Sequence, residues 1–286
     1  MGQFCGLQCD YLTKTVCLVP KTIRKSQAWL DRINTSPVLT AGEVAELFGL
    51  LFYASPALKI NVAKYYFAMK TYRRIASRLS KNTIGEADLV NITKCIREQL
   101  REWLAQIVRN TPQVPEQVVQ AKYIMYSDAS LSGWGCVLIR ESDQLVLSVG
   151  DKWEMGMTKN INTLEALAIL EGLRAFSQFL RNSSVELRVD NTSALSGVRR
   201  GYARAKHLNE VVDTIQQQAS QEGVHISNAF YVSTKINPAD TISRGQHTDG
   251  VTLMHVHDDV NRWLLANGST ISTGDGASGR SWFPHS

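Results

Sequence analysis

Four carboxylates, Asp128, Glu165, Asp190 and Asp240, fall where strands end or helices begin in a reading of the chain. Asp128 closes the apolar run from Tyr123 to Tyr126. A small-residue turn follows, and a second apolar run, Cys136 to Ile139, leaves it. That pattern predicts two antiparallel strands, and Gly133 and Gly135 allow a tight backbone path between them. Asp190 ends the run Val185–Val189. Alternation puts Val185, Leu187 and Val189 on one face, and Glu186, Arg188 and Asp190 on the other. Glu165 lies in the first turn of a helix, with Asn162 as a cap. Asp240 follows Asn237-Pro238-Ala239, where Asn237 can cap and Pro238 can be the first helical residue.

Each acid also has a reading without chemistry. Asp128 suits a turn. Glu165 completes a variant capping box. Asp190 or Asn191 caps the next helix, and Asp240 is a first-turn acid favoured by the helix dipole. Together they suggest more, because Asp128 and Asp190 end strands that can be neighbours, and Glu165 and Asp240 open helices that pack on that sheet. Four such acids in one place repel, and some must protonate unless a cation neutralises them. Carboxylate oxygens are the ligands that Mg²⁺ prefers. Two such ions about 4 Å apart suit in-line displacement at phosphorus.

The elements that position these acids form the second part of the chain. Strands are predicted at 122–127, 135–140 and 144–150, then a helix at 163–180 and a strand at 185–189. Helices at 192–198 and 207–221, a strand at 226–232 and a last helix near Pro238 complete it. The meander followed by alternating helices and strands implies a mixed α/β sheet. The first part, 1–109, is mostly helical after a short β start. Thr40-Ala41-Gly42-Glu43 reads as a capping box, and Ser55-Pro56 restarts a helix. Apolar stripes then run from Leu58 to Leu79 and from Leu89 to Ile107. Pro112 and Pro115 mark 110–120 as a linker. The α/β part is expected over 121–248. A C-terminal helix and flexible tail are expected over 249–286, where Gly268–Gly279 is rich in Gly, Ser and Thr.

With 44% hydrophobic residues in 286, the chain can bury a sizeable core. Its five cysteines form no CxxC pair, against a disulfide framework or a structural zinc site. No long apolar span suggests a membrane helix. The start Met1–Gly6 has neither a myristoylation nor a secretory pattern. The expectation is an intracellular chain, in cytoplasm or nucleus. The net charge of +5 suits nucleic acid if it is clustered. Two clusters exist. Lys70, Arg74, Arg78 and Lys81 recur at spacings of four, four and three, forming one helical stripe with Arg73 beside it. Arg199, Arg200, Arg204 and Lys206 form the second, close after Asp190. Either is a candidate phosphate contact or a solvated face.

The segments Tyr126-Ser-Asp-Ala-Ser…Gly133-Trp-Gly135, Ile161-Asn-Thr-Leu-Glu165, Val189-Asp190-Asn191 and Asn237-Pro-Ala-Asp240-Thr-Ile-Ser-Arg244 resemble the ribonuclease H domain of retroelement reverse transcriptases. The resemblance implies a five-stranded mixed sheet flanked by helices. It also implies endonuclease cleavage of the RNA strand of RNA–DNA hybrids, a hydrolase reaction. Asp128, Glu165, Asp190 and Asp240 would be catalytic metal ligands for two Mg²⁺ per site, with Mn²⁺ as a substitute. Ser130 and Asn191 would be candidates for contact with the RNA 2′-hydroxyls. The loop Ser233-Thr234-Lys235-Ile236 lacks the histidine that many cellular ribonucleases H place before the fourth aspartate. Lys235 is a candidate phosphate contact there.

A second similarity covers Phe4-Cys-Gly-Leu…Asp10…Pro20-Lys21…Lys25 and Leu47-Phe-Gly-Leu-Leu-Phe-Tyr-Ala-Ser-Pro56. These resemble the thumb and connection that follow the polymerase palm in retrotransposon-type elements. No Tyr-x-Asp-Asp polymerase motif is present, and Asp258-Asp259 falls after the nuclease part. The expected partners are a hybrid and the polymerase part of a reverse transcriptase. Two other functions compete. An integrase-like transferase shares the sheet, but its glutamate follows both aspartates, whereas Glu165 lies between them. A non-catalytic nucleic-acid-binding or assembly module would keep the fold without needing four mutually repelling acids.

Overall fold

The computed structural model describes residues 2–115, 122–154, 160–245 and 248–253. The expected tail at 268–279 and the pair Asp258-Asp259 lie outside them, as does most of the expected C-terminal helix.

The chain opens with an antiparallel sheet of β1 (Gly2–Phe4), β2 (Leu7–Asp10) and β3 (Thr15–Leu18). Helix α1 (Pro20–Thr35) starts on Pro20 itself, where the missing N–H costs nothing. Strand β4 (Val38–Thr40) leads into α2 (Ala41–Ala57) through the expected capping box. The Thr40 hydroxyl accepts from the Glu43 N–H at 3.1 Å, and the Glu43 carboxylate accepts from the Thr40 N–H at 2.7 Å. Pro56 does not restart a helix as expected but lies inside the last turn of α2. A 3₁₀ turn at Val62–Tyr65 precedes α3 (Tyr66–Ser80). Leu89, read as the start of a helical stripe, belongs to β5 (Leu89–Asn91), which pairs with β4. Three residues are too few for alternation to register. Helix α4 (Lys94–Arg109) follows.

A core of α1–α4 side chains surrounds the fully buried Trp103. Its ring stacks on Tyr65 at 4.6 Å, and its indole N–H donates to the Ser55 hydroxyl at 2.8 Å. After α4, Asn110 adopts a left-handed conformation. Its side chain binds both the N–H and the carbonyl of Leu18, and Gln113 pairs with Val16 through the backbone.

The second sheet contains β6 (Tyr123–Ala129), β7 (Gly133–Arg140) and β8 (Leu145–Lys152), then α5 (Ile161–Ala175), α6 (Ser177–Leu180) and β9 (Ser184–Val189). Helices α7 (Thr192–Arg200) and α8 (Lys206–Gln221) come next, then β10 (His225–Tyr231), α9 (Asp240–Ser243) and β11 (Thr248–Leu253). The strand order is β10-β9-β6-β7-β8-β11. Strands β6, β9 and β10 run parallel, and the others are antiparallel neighbours. The sheet therefore has six strands, not five. The sixth, β11, occupies residues where a C-terminal helix was expected to begin.

The described chain packs as two units. One comprises Met1–Gln120 with Asn191–Gly223, the other Ala121–Asp190 with Val224–Ser286. Helices α7 and α8 thus share a unit with the N-terminal helices. Buried Asn209 accepts from the Ala203 N–H and donates to the Ala63 carbonyl at 2.7 Å, and Asn61 donates to Asp213 at 2.7 Å.

Candidate active site

Strand β6 carries Asp128 next to its last residue, in register with Gly135 on β7, which in turn faces Gly150 on β8. The two glycines explain how α9 reaches the sheet. A Cβ on Gly135 would meet Ile242 Cβ at 2.7 Å and the Ala239 carbonyl at 2.8 Å. One on Gly150 would meet Ile242 Cγ2 at 2.3 Å. Without those side chains, α9 lies against β7 and brings Ser243 to Asp128, whose Oδ2 accepts the Ser243 hydroxyl. Asn237 donates to the Ser127 carbonyl at 3.0 Å and pins the approach to α9.

Helix α5 supplies Glu165. Its cap is Asn160 rather than Asn162, with the Asn160 side chain accepting from the Thr163 N–H, so Glu165 stands beyond the reach of a capping box. It is buried at 5% exposure, a placement that capping does not explain. The helix can sit close to the sheet because Gly172 faces Cys136, whose Sγ a Cβ there would meet at 2.6 Å. Asp190 follows β9, whose Val185, Leu187 and Val189 are buried as alternation requires. Thr234 donates to Asp190 Oδ2 at 2.7 Å.

One carboxylate oxygen from each of Asp128, Glu165 and Asp190 lies within 4.8 Å of the others. Asp240 stands outside this group, with its Oδ1 accepting from Arg244 Nε at 2.9 Å. Burial pushes the Asp128 carboxyl up to about 7. The Asp190 and Asp240 charges add to this, and the Ser243 hydrogen bond opposes it. Glu165 is pushed up to about 9 by burial first, then by Asp190 and Asp128. Glu165 Oε2 and Asp190 Oδ1 are buried without a hydrogen-bond partner. Hard oxygen donors, mutual repulsion and two orphaned oxygens make the group fit a divalent cation.

The other expected contacts divide by environment. The Ser130 hydroxyl is used by its own turn and by the Ser243 carbonyl, to which it donates at 2.6 Å. Asn191 caps α7, its Oδ1 accepting from the Ser193 and Ala194 N–H groups. Lys235 is exposed in the 3₁₀ turn Thr234–Ile236. Arg74, Arg78, Lys81, Arg199, Arg200, Arg204 and Lys206 are exposed, and Lys70 is half-buried. Lys206 pairs with Glu210 at 3.5 Å. Sequence reasoning did not single out Ser243 or Thr234. Ser243 stands three residues after Asp240, the spacing that puts both on one face of a helical turn.

Residues 118–218 match the family model described as "RNase H-like domain found in reverse transcriptase". No curated protein matches the chain. Among solved structures, RNase H1 from the halophilic archaeon Halobacterium salinarum is similar at 16% identity and a TM-score of 0.36, over 43% of this chain and 96% of that one. LC11-RNase H1 in complex with an RNA/DNA hybrid is similar at 18% identity and a TM-score of 0.33, over 42% and 92%. The foamy viral protease-reverse transcriptase in complex with dsDNA is similar at 13% identity and a TM-score of 0.31, over 82% of this chain and 45% of that one. Over residues 118–218 the chain carries an RNase H-like domain of the kind found in reverse transcriptase.

Proposed function

We propose that this chain cleaves the RNA strand of RNA–DNA hybrids in a reaction that needs a divalent cation. The observation that carries the reading is the three-acid group, with two buried oxygens that lack any partner. Asp128, Glu165 and Asp190 would hold Mg²⁺, with Mn²⁺ as a substitute. Asp240 would join them by turning from Arg244, whose ion pair is exposed on the arginine side. Two bound cations would supply water activation and stabilisation of charge at the leaving 3′ oxygen.

The chain's own residues do the positioning. Ser243 fixes the rotamer of Asp128, and Thr234 fixes that of Asp190. Ser130 and the Asn191 Oδ1 also serve a turn and a cap, and the two residues would be the candidates for contact with the 2′-hydroxyls of the RNA strand. The exposed cations of α3 and of the segment from Arg199 to Arg204 would take the backbone phosphates, while Lys206 is paired with Glu210. The polymerase part of a reverse transcriptase is the partner that this activity would serve.

The test is a labelled hybrid incubated with the chain in Mg²⁺, in Mn²⁺ and in EDTA. Cleavage should occur in either metal, stop in EDTA, and spare an all-DNA duplex. Asp128→Asn should lower the rate by at least about a thousandfold while keeping the fold, the scale expected when groups act as a unit. Metal-independent cleavage, or near-normal cleavage by folded Asp128→Asn, would sink the proposal. Metal-insensitive hybrid binding with no cleavage would favour the assembly module.

A further inference from the structure

Helix α3 and the turn between α7 and α8 belong to the same unit, and there two basic segments that are far apart in sequence meet. Arg73 of α3 lies over the ring of Tyr202 in that turn, its guanidinium carbon 5.8 Å from the ring centre. Tyr66 of α3 donates its hydroxyl to the Arg204 carbonyl at 3.1 Å, and Lys70 Nζ lies 5.7 Å from the Tyr66 ring centre. Buried Asn209 and left-handed Gly201, at φ 70°, hold the turn from either side. The two cationic segments are therefore joined into one surface interleaved with tyrosines.

This surface has unmet demand for an anion. One terminal nitrogen of Arg73, Nη1, is buried and has no hydrogen-bond partner. Burial pulls its pKa down; Tyr202 and Tyr66 oppose the shift, and the Arg204 charge adds to it least. The nearby acids are engaged elsewhere. Glu210 takes Lys206 and His207, Asp213 takes Asn61, and Glu102 takes Lys64. Among the described residues no ion pair reaches Lys70, Arg73, Arg74 or Arg204. A half-buried guanidinium with one terminal nitrogen short of an acceptor, set among cations that no acid pairs, suits the oxygens of a phosphate.

We propose that Arg73 and Arg204, with Lys70 and Arg74 beside them, form a single phosphate-binding surface whose ligand is the backbone of the hybrid. The identity of the polyanion rests on the nuclease reading. The surface itself rests on the packing of α3 against the α7–α8 turn. Arg73, which only flanks the helical stripe in the sequence, is its centre, because it alone joins the two segments through a ring and is also short of acceptors.

The experiment is binding of a fluorescent RNA–DNA hybrid to the full chain in EDTA across a range of salt. Wild type is compared with Arg73→Ala/Arg204→Ala, Arg204→Ala and, as a control, Lys206→Ala. The double variant should bind more weakly at every sequence. Its dependence of log Kd on log salt should be shallower by about one unit per lost contact. Lys206→Ala, already neutralised by Glu210, should change the slope least.

Arg204 is exposed, so its single variant tests the surface even if the double variant melts early. Salt plots for Arg204→Ala that superimpose on wild type would overturn the proposal. So would equal competition by polyglutamate of matched charge, which would make the surface a general acid-binding face. Since EDTA separates binding from chemistry, absent cleavage with the expected binding losses would sink the nuclease reading and leave the surface standing. Normal cleavage with unchanged binding would do the reverse.

Discussion

Asp128 and Glu165 keep their protons in the folded chain to about 7 and about 9, against ordinary values of 3.8 and 4.5, chiefly because burial disfavours their charged forms. The unfolded chain gives up those protons at lower pH. The folded state therefore binds more protons between the two sets of values, and its stability must fall as pH rises. The contribution is complete below about 4. It declines as pH rises through about 7 for Asp128 and about 9 for Glu165. In EDTA the melting temperature should drop steadily from about pH 5 to about pH 9. Asp128→Asn should flatten the lower part of that drop, and at the alkaline end it should melt above wild type. Millimolar Mg²⁺ should restore wild type more than the variant, since a ligand of the folded state stabilises it by mass action. A flat melting profile in EDTA would show that the carboxylates are relieved by something other than protons. The acids themselves were legible from their types and their places at element ends. Their hydroxyl partners were not. Ser243 and Thr234 reach Asp128 and Asp190 across more than forty residues of chain, and serine and threonine have too many ordinary uses for sequence to single them out.

Helix α9 has only four residues and rests on a ladder of two glycines. Gly150→Ala should force Ile242 away from the sheet, because the new methyl would also meet the Trp134 carbonyl at 2.6 Å. The expected cost is about 1–3 kcal/mol, typical of overpacking in a core. Urea denaturation would measure it. Cleavage should fall further than stability alone accounts for, because Ser243 moves with α9. An unchanged denaturation midpoint would mean that α9 yields freely and does not set the site. Gly135 was singled out in the sequence for its backbone freedom. Its real constraint is space beneath α9, which depends on residues a hundred positions away. The long amphipathic helices were readable because their apolar positions repeat over several turns. The β4–β5 pair, three residues each, carried too little pattern. Strand β11 was missed because its pairing with β8 is fixed by the sheet and not by its own alternation.

At the scale of the molecule, the chain leaves one unit at Asp190 and returns at Val224, so the helices that follow the Asp190 strand fold with the N-terminal part. No local pattern encodes this. Asn209 has an ordinary sequence context, yet it is buried between Ala203 and Ala63. Asn209→Ala should cost about 1–3 kcal/mol, the penalty for leaving buried backbone groups unpaired. Hydrogen exchange of α8 should rise with it, and a variant whose α8 protection equals that of wild type would refute the linkage. The same connection sets a timetable for synthesis. Asn61 and Asp213 are 152 positions apart. At about 5–20 residues per second, the partner of Asn61 leaves the ribosome on the order of 10–30 s after it. Closing so long a loop is slow. The N-terminal helices can bury Trp103 early, but the turn at Val62–Tyr65 stays uncovered until α8 arrives. A ribosome stalled before Asn209 would thus hold a chain with one core made and a bare seam beside it, the kind of surface that chaperones and proteases read.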